Sequence, residues 1–352
     1  MFQLILTACL AVSSAVCAPI LLPAGEAASL DACKATAARI SQAWLAERPT
    51  LTGGASTCLP VSDLPSLPLQ QIAPGVFVYE GSPVQMEDTG DGRIANLAVV
   101  IGERSVAVID SGVSRAQGQE FYAAIRGLTD LPVSHLILTH MHPDHVFGAS
   151  VFREAGAQIL GHAALPQALE LRAQTYLDNI ARLYPPATVL GTETVLAETT
   201  VEDRLEIDLG RRRLTLAAAP VAHTDNDLTV FDHETGTLFA GDLLFRDLTP
   251  ILDGSLSGWL QWGDVPPDPM PRLVVPGHGP VAANWAQAVT PQQAFLKALE
   301  EETRAQIRDG IPMSSAVSQI VNRLEKMAEY WNAFPESAAR NATAAYKELE
   351  WE

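Results

Sequence analysis

The sequence predicts an α/β protein in which β-sheets pack against each other with helices on the outside. Short apolar runs bounded by turn residues form two groups, at about 76–160 and 205–240, and are typical of buried strands. Helix-like stretches alternate with the first group, and the tail from residue 290 is helical by composition. With 352 residues, 47% of them hydrophobic and 18% charged, the chain can bury a sizeable core.

The first 27 residues read as a signal peptide, which predicts a periplasmic or secreted protein. Small and apolar residues run through Ala18, a length too short to span a bilayer, and Gly25-Glu26-Ala27 is the preferred cleavage site. The start of this segment contains no Lys or Arg, which is unusual for a leader. After cleavage we expect no stable membrane span.

The four cysteines divide between this leader and the segment that follows it. Cys9 and Cys17 would leave with the leader, whereas Cys33 and Cys58 would remain in an N-terminal annex at 28–70. An even pair in an exported chain predicts a disulfide between Cys33 and Cys58. Two unpaired, buried cysteines are the alternative.

The elements after the annex follow from apolar runs and turn residues. We expect strands at 76–79, 96–101, 106–109, 136–138, 158–160, 205–209, 214–217, 228–231 and 237–240. We expect helices at 116–126, 146–154 and 166–183, the last as a lid over the site described below. In the tail, Thr290 as N-cap and Pro291 in the first turn predict a helix that ends at Asp309-Gly310, followed by helices at 314–331 and 336–350.

The charge of the chain argues against nucleic-acid partners. A formal net charge of −18 gives a surface that repels phosphate backbones. The dense basic run Arg211-Arg212-Arg213 reads as a turn at a strand edge rather than a binding patch. We therefore expect a small-molecule substrate, while the oligomeric state is not readable from the sequence.

A cluster of histidines and an aspartate directly follows the predicted strand at 136–138. Its members are His140, His142, Asp144 and His145. A strand that ends in such a cluster delivers several ligands to one point, and imidazole with carboxylate but no thiolate suits zinc, iron or manganese. The cluster therefore predicts a metal site, with a solvated polar turn as the alternative.

Three further residues stand after strand-like runs, where loops at strand ends would bring them to the same place. They are His223, Asp242 and His278. His135 and His233 lie before a strand and in a polar turn, so we interpret both as ordinary surface residues.

With these residues assembled, the chain resembles the metallo-β-lactamase superfamily. That family shows His-x-His-x-Asp-His, a later His, a bridging Asp or Cys and a last His, and the match covers roughly 76–281. The resemblance implies an αββα sandwich at 71–282, with metals at one edge of the sheets, and a C-terminal helical extension at 283–352.

The resemblance also implies how the seven residues divide. One metal would be held by the first ligand set, which is His140, His142 and His223. A second metal would be held by the second ligand set, which is Asp144, His145 and His278. Asp242 would bridge the two metals. Asp110 resembles the family's Asp that orients a ligand histidine, with plain helix capping as the alternative.

Two departures place the chain within the superfamily. Asp242 stands where the main lactam-hydrolysing classes have a thiolate, so the chain is more similar to thioesterase, lactonase and persulfide-dioxygenase branches. His223 is followed by Thr-Asp-Asn-Asp instead of the commoner Thr-Pro-Gly, which puts nearby substrate contacts in doubt. Together with its helical tail, the chain most resembles the quinoprotein relay system zinc metallohydrolases, which implies a periplasmic quinoprotein partner.

These observations predict an exported hydrolase with two zinc ions per chain, iron and manganese being the alternatives. A metal-bound hydroxide would attack an ester, thioester or lactam-like carbonyl, and Asp144 would orient the nucleophile and accept its proton. One alternative is a mononuclear iron enzyme of sulfur metabolism, similar to persulfide dioxygenases. Another is a non-catalytic metal-binding accessory protein.

Overall fold

The computed structural model describes residues 1–351 and begins with a three-stranded antiparallel sheet covered by one helix. Its elements are β1 (Phe2–Leu10), β2 (Ser13–Ala27), α1 (Leu30–Ala46) and β3 (Leu51–Pro60), and the strand order is β2-β1-β3. Leu4 and Leu6 of the central strand are buried in one cluster with Ile40 and Trp44 of α1. The N-terminal part thus has its own small core.

Buried ion pairs fasten this sheet to the rest of the chain, and Arg115 makes the most deeply buried of them. The guanidinium of Arg115 is fully buried, donates to the carbonyl oxygen of Leu21 at 3.0 Å and pairs with Glu154 at 2.6 Å. Trp44 of α1 donates from Nε1 to the same carboxylate at 2.8 Å. Because a buried charge is costly without its partners, these contacts hold the N-terminal part against the central domain.

Two disulfides brace the N-terminal part. The predicted Cys33–Cys58 bond is present, and Cys9 is joined to Cys17 across β1 and β2. The residues predicted to be a leader, 1–27, form two of the three strands of this sheet. Cleavage after Ala27 would remove both strands, and the intact mass of the exported protein decides whether it occurs.

The first sheet of the central domain has seven strands. They are β4 (Gln70–Ala73), β5 (Val76–Tyr79), β6 (Leu97–Ile101), β7 (Val106–Ile109), β8 (Val133–Ile137), β9 (Gln158–His162) and β10 (Thr199–Val201), in the order β10-β9-β8-β7-β6-β5-β4. The helices of this half are α2 (Arg115–Leu128), α3 (Pro143–Val146), α4 (Ala149–Glu154), α5 (Leu165–Leu183) and α6 (Pro186–Val189). Strands β7 to β10 are parallel, as expected for strands joined through helices.

The second sheet has five strands. They are β11 (Arg204–Asp208), β12 (Arg213–Ala218), β13 (Leu228–Asp232), β14 (Thr237–Phe245) and β15 (Leu273–His278), in sequence order, with α7 (Leu256–Asp264) before β15. Alternate residues of β12 and β13, such as Leu214, Leu216 and Val230, are buried against the inner face of the first sheet. The two sheets therefore form a sandwich, and further apolar clusters on their outer faces pack against helices.

Three helices end the described chain: α8 (Trp285–Arg308), α9 (Met313–Leu324) and α10 (Phe334–Leu349). Helix α8 begins earlier than Thr290, where we predicted its N-cap. The side chain of Asn284 accepts a hydrogen bond from Gln287 N at 2.9 Å and caps the helix, so Pro291 lies inside it. Among the described residues, the helices are all too short or too polar to cross a bilayer.

Candidate metal centre

The seven predicted metal ligands come together from four segments of the sandwich. The first segment is 140–145, in which His140 and His142 lie on the loop after β8 and Asp144 and His145 lie in α3. The other three segments place His223 on the loop after β12, Asp242 within β14 and His278 at the end of β15. Strands β14 and β15 are parallel neighbours, which places Asp242 beside His278. Only Asp242 differs from expectation in its local setting, because β14 continues to Phe245 instead of ending before it.

The first ligand set is a triangle of imidazole nitrogens. His142 Nδ1 lies 3.1 Å from His140 Nε2 and 3.0 Å from His223 Nε2. His140 and His223 are fully buried, and His142 faces a cavity. Three nitrogens this close in a dry site need either protons or a shared cation between them.

Hydrogen bonds on the far side of each ring assign the protons. The ring N–H groups of His140, His142 and His223 donate to Thr139 Oγ1 (3.0 Å), Asp253 Oδ2 (3.1 Å) and Ile251 O (2.6 Å) respectively. In these neutral tautomers the three facing nitrogens carry lone pairs, which repel one another in a low-dielectric site. The triangle is therefore arranged to bind a cation.

The second ligand set is built around Asp144. Its Oδ2 lies 3.4 Å from both His145 Nε2 and His278 Nε2. The opposite ring nitrogens are again occupied, because His145 Nδ1 donates to Asp110 Oδ2 at 2.8 Å and His278 Nδ1 donates to Ile94 O at 3.0 Å. Both Nε2 atoms are thereby turned toward the carboxylate and toward Asp242.

Asp242 lies between the two sets. Its Oδ2 is 3.4 Å from His223 Nε2 and 3.3 Å from His278 Nε2, so one oxygen faces a histidine of each set. Room for this carboxylate depends on Gly277, because a Cβ there would lie 1.9 Å from Asp242 Oδ1. Glycine at 277 is thus a steric requirement of the centre.

The backbone at Asp110 is adapted to its contacts. Its φ of 58° lies in the left-handed region, which Asp and Asn tolerate better than most residues. Asp110 Oδ1 accepts from Thr139 N at 2.8 Å, and Oδ2 accepts from Thr139 Oγ1 at 2.8 Å as well as from His145. The carboxylate orients a histidine rather than capping α2, whose N-cap is Ser114.

The two sets differ in charge. Burial lowers the pKa of His140 well below its usual value and that of His223 to about 3. For His145 burial also lowers the pKa, but the carboxylates of Asp242, Asp144 and Asp110 outweigh it and raise the pKa well above its usual value. The carboxylates of the second set therefore favour a positive charge there, which a proton on His145 or a bound cation can supply.

The centre fits divalent cations. His145 Nε2 and Asp242 Oδ1 are buried without a hydrogen-bond partner among the described residues, although they lie 3.2 Å apart. Buried polar atoms are nearly always satisfied, so two orphans at the same point indicate an additional bonding partner. Five imidazoles and two carboxylates are the donor set that zinc and related metals take.

Sequence reasoning missed the residues that support the first set from outside the motif. Asp253 accepts from His142 and from Arg172 Nη1, the latter at 2.7 Å. Burial raises the pKa of Asp253, but the hydrogen bond from His142 and the neighbouring positive charges lower it to about 2. Asp253 lies 111 residues from His142, in a stretch without periodicity, so no local pattern could have revealed it.

A cavity of about 240 Å³ opens onto the centre. Its floor contains ligands of both sets, and one wall is α5, which contributes Arg172 and Tyr176. The rim also includes Arg340 of α10. The helix that we predicted as a lid therefore lines the cavity, and the C-terminal extension completes it.

Comparisons with known proteins match the part of the chain that holds this centre. The model of the metallo-beta-lactamase superfamily matches residues 90–278. A probable metallo-hydrolase of Streptococcus pyogenes serotype M6 is 24% identical over 192 residues, which cover 53% of this chain and 79% of that protein.

Solved structures share the fold. TMB-1 is 20% identical with a TM-score of 0.51, covering 66% of this chain and 98% of its own. The metallo-beta-lactamase from Pontibacter korlensis is 17% identical with a TM-score of 0.53, covering 66% of this chain and 99% of its own. These likenesses confirm the predicted fold class, and the helices after β15 are the predicted C-terminal extension.

Proposed function

The chain belongs to the metallo-β-lactamase superfamily and is a metallohydrolase of it, and from this premise we propose that it is an exported dinuclear zinc hydrolase. Its substrate would be an ester, a thioester or a lactam-like compound. The observation that carries the proposal is the pair of ligand sets that share Asp242. A structural zinc site is usually a closed cage of four ligands, whereas seven ligands around an open cavity favour catalysis.

The residues of the centre have separate roles in this proposal. The ligand sets would hold two divalent cations, which supply Lewis acidity and a water acidic enough to deliver hydroxide near neutral pH. The carboxylate of Asp242 would offset the repulsion between two cations held close together. Asp144 lines the cavity, where its carboxylate can orient the nucleophilic water and accept the proton that this water loses.

The rim of the cavity favours a substrate with an anionic substituent. Arg172 is neutralised by Asp253 at 2.7 Å, whereas Arg340 has no ion pair among the described residues. The charge of Arg340 acts on Asp253, but the ion pair of Asp253 is with Arg172, so on a chain with net charge −18 the Arg340 guanidinium is a local attraction for an anion. Arg340 would hold a carboxylate of the substrate while the scissile carbonyl lies at the metals.

Export and partnership belong to the same proposal. The two disulfides support an oxidising compartment such as the periplasm. Association with a quinoprotein dehydrogenase rests on the sequence resemblance alone, and co-purification from a periplasmic extract tests it.

The function is tested by reconstituting chelator-treated protein with zinc or with iron(II). Each form is offered matched esters, thioesters and lactams and, separately, a persulfide while oxygen uptake is recorded. We expect zinc-dependent hydrolysis without oxygen consumption. Oxygen uptake by the iron form with a persulfide, and no hydrolysis by the zinc form, would replace the proposal with the iron-dependent alternative.

A further inference from the structure

The C-terminal helix α10 reaches the metal centre through one buried amide. Asn341 is 1% exposed and directs its side chain at the loop that follows β14. Its Nδ2 donates to the carbonyl oxygen of Pro250 at 2.7 Å, and its Oδ1 accepts from the backbone N–H of Leu252 at 2.9 Å. The two bonds bracket Ile251 and fix the direction of its backbone.

The bracketed loop carries the outer partners of two histidines in the first ligand set. The carbonyl oxygen of Ile251 accepts from His223 Nδ1 at 2.6 Å. Two residues on, Asp253 Oδ2 accepts from His142 Nε2 at 3.1 Å. Hydrogen bonds on the outer nitrogen of a ligand histidine set its ring orientation and tautomer, and losing them weakens metal binding by about 10- to 100-fold.

We propose that Asn341 is a positioning residue for the first metal, acting through the loop that orients His142 and His223. The inference rests on the proposed function in one respect, that the first ligand set holds a metal. It assigns a role in the centre to a residue 63 positions beyond His278, the last residue of the superfamily match, and to a helix outside the sandwich.

Other contacts of the extension show why this residue is singled out. Asn332 bonds Thr249 through its carbonyl oxygen at 2.7 Å, and Glu348 accepts from Leu256 N at 2.7 Å. Both hold the chain beside the loop, but neither flanks a residue that bonds a ligand. Asn341 alone among these three brackets Ile251. Its replacement should therefore weaken zinc binding at the first ligand set and not only lower the stability of the fold.

The test measures zinc affinity at each ligand set separately, by competition with a chromophoric chelator. The full chain carrying His278→Ala isolates the first set, and the full chain carrying His142→Ala isolates the second. Asn341→Ala is introduced into each background, with Asn341→Ser as a milder second variant. Tyr346→Phe is the matched control, because Tyr346 also lies on α10 and loses one hydrogen bond, to Ile311 O at 2.8 Å, away from the centre.

We expect Asn341→Ala to weaken zinc binding about tenfold in the His278→Ala background and less than twofold in the His142→Ala background. Tyr346→Phe should change neither, although both substitutions lower the unfolding temperature of the metal-free protein. Equal weakening in both backgrounds, or the same weakening by Tyr346→Phe, would overturn the inference, as would loss of the fold in both Asn341 variants. Wild-type protein that binds no zinc would overturn the proposed function as well, so the two failures are distinguishable.

Discussion

The two halves of the metal centre are supported by different parts of the chain. In the second ligand set, the outer partners of His145 and His278 are Asp110 and Ile94, which come from the sandwich. In the first set, two of the three histidines depend on the loop after β14, which is fastened to the C-terminal helix α10. Residues of the sandwich therefore orient the histidines of the second ligand set. The first ligand set also uses an extension that follows the sandwich.

This difference explains how an extension can change chemistry without supplying a ligand. Helix α10 packs its apolar face against the sandwich in the same cluster as Phe245 and Trp259, which themselves contact the ring of His223. The same helix places Arg340 at the rim of the cavity. Substitutions in the extension should therefore change metal binding by the first ligand set and leave metal binding by the second ligand set unchanged.

Asp242→Ala should have the largest effect because Asp242 belongs to both halves. We expect both zinc ions to be lost or weakened together and turnover to fall about a thousandfold, the factor that about 4 kcal/mol of lost transition-state stabilisation gives. Zinc content and steady-state kinetics measure this. Asp264→Ala, which removes only an exposed pair with Lys297, is the control and should retain both. Retained full turnover in Asp242→Ala would remove Asp242 from the centre.

Asp110→Asn should weaken zinc binding at the second ligand set more than at the first. Asn tolerates the left-handed backbone at 110, but its single acceptor oxygen cannot serve Thr139 N and His145 Nδ1 together, as the two carboxylate oxygens do. We expect zinc affinity of the second set to fall by about 10- to 100-fold. The first set should be affected less, because it reaches Asp110 only through His140 and Thr139.

Chelator competition in the backgrounds described above measures both affinities. Equal losses at the two sets would contradict the separation and would indicate that the centre is held as one unit.

Arg340→Gln should leave both metals in place and change substrate choice. We expect kcat/KM for an ester with a terminal carboxylate to fall roughly tenfold, in line with one charge-assisted hydrogen bond at a partly exposed site. The matched neutral ester should be hydrolysed as before, and Arg340→Lys should restore part of the preference. Equal loss for both esters would mean that Arg340 does not select the anion.

Asp227→Asn should have the smallest effect on activity but a measurable effect on stability. Burial raises the pKa of Asp227 to about 7, although hydrogen bonds from Thr224 to its carboxylate oppose this. The carboxyl group of Asp227 ionises near pH 4 in the unfolded chain and near pH 7 in the folded chain. The free energy of unfolding of the wild type therefore falls as pH rises through that window and then levels off.

In Asp227→Asn this decrease in the free energy of unfolding with pH should be smaller by on the order of 1–3 kcal/mol. Denaturant unfolding of the metal-free protein at pH 4.5 and 7.5, both chosen to lie at about the limits of the window, measures the difference. An unchanged pH dependence would show that Asp227 is ionised throughout.

The sequence was informative where chemistry is local. His140 to His145 follow one strand within six positions, so the motif could be located without knowing any contact. At the N-terminus, small and apolar residues suit a leader as well as the strands β1 and β2, so the leader stays a prediction. The Gly-rich stretch of β3 lacks an apolar strand pattern, yet pairing with β1 makes it a strand.

The supporting residues of the first set could not be predicted for a different reason. Asp253 and Asn341 act through contacts to segments 111 and about 90 residues away. A lone Asp in a turn and a lone Asn in a helix carry no periodic signal. Only the folded arrangement distinguishes them from many similar polar residues.

The most direct test of the centre is elemental analysis of the full chain purified without chelators, beside His142→Ala and His278→Ala. We expect about two zinc per chain in the wild type and about one in each variant, since each substitution disables one ligand set. One iron per chain, no bound metal, or loss of both zinc ions in either variant would contradict two separately supported halves that share Asp242.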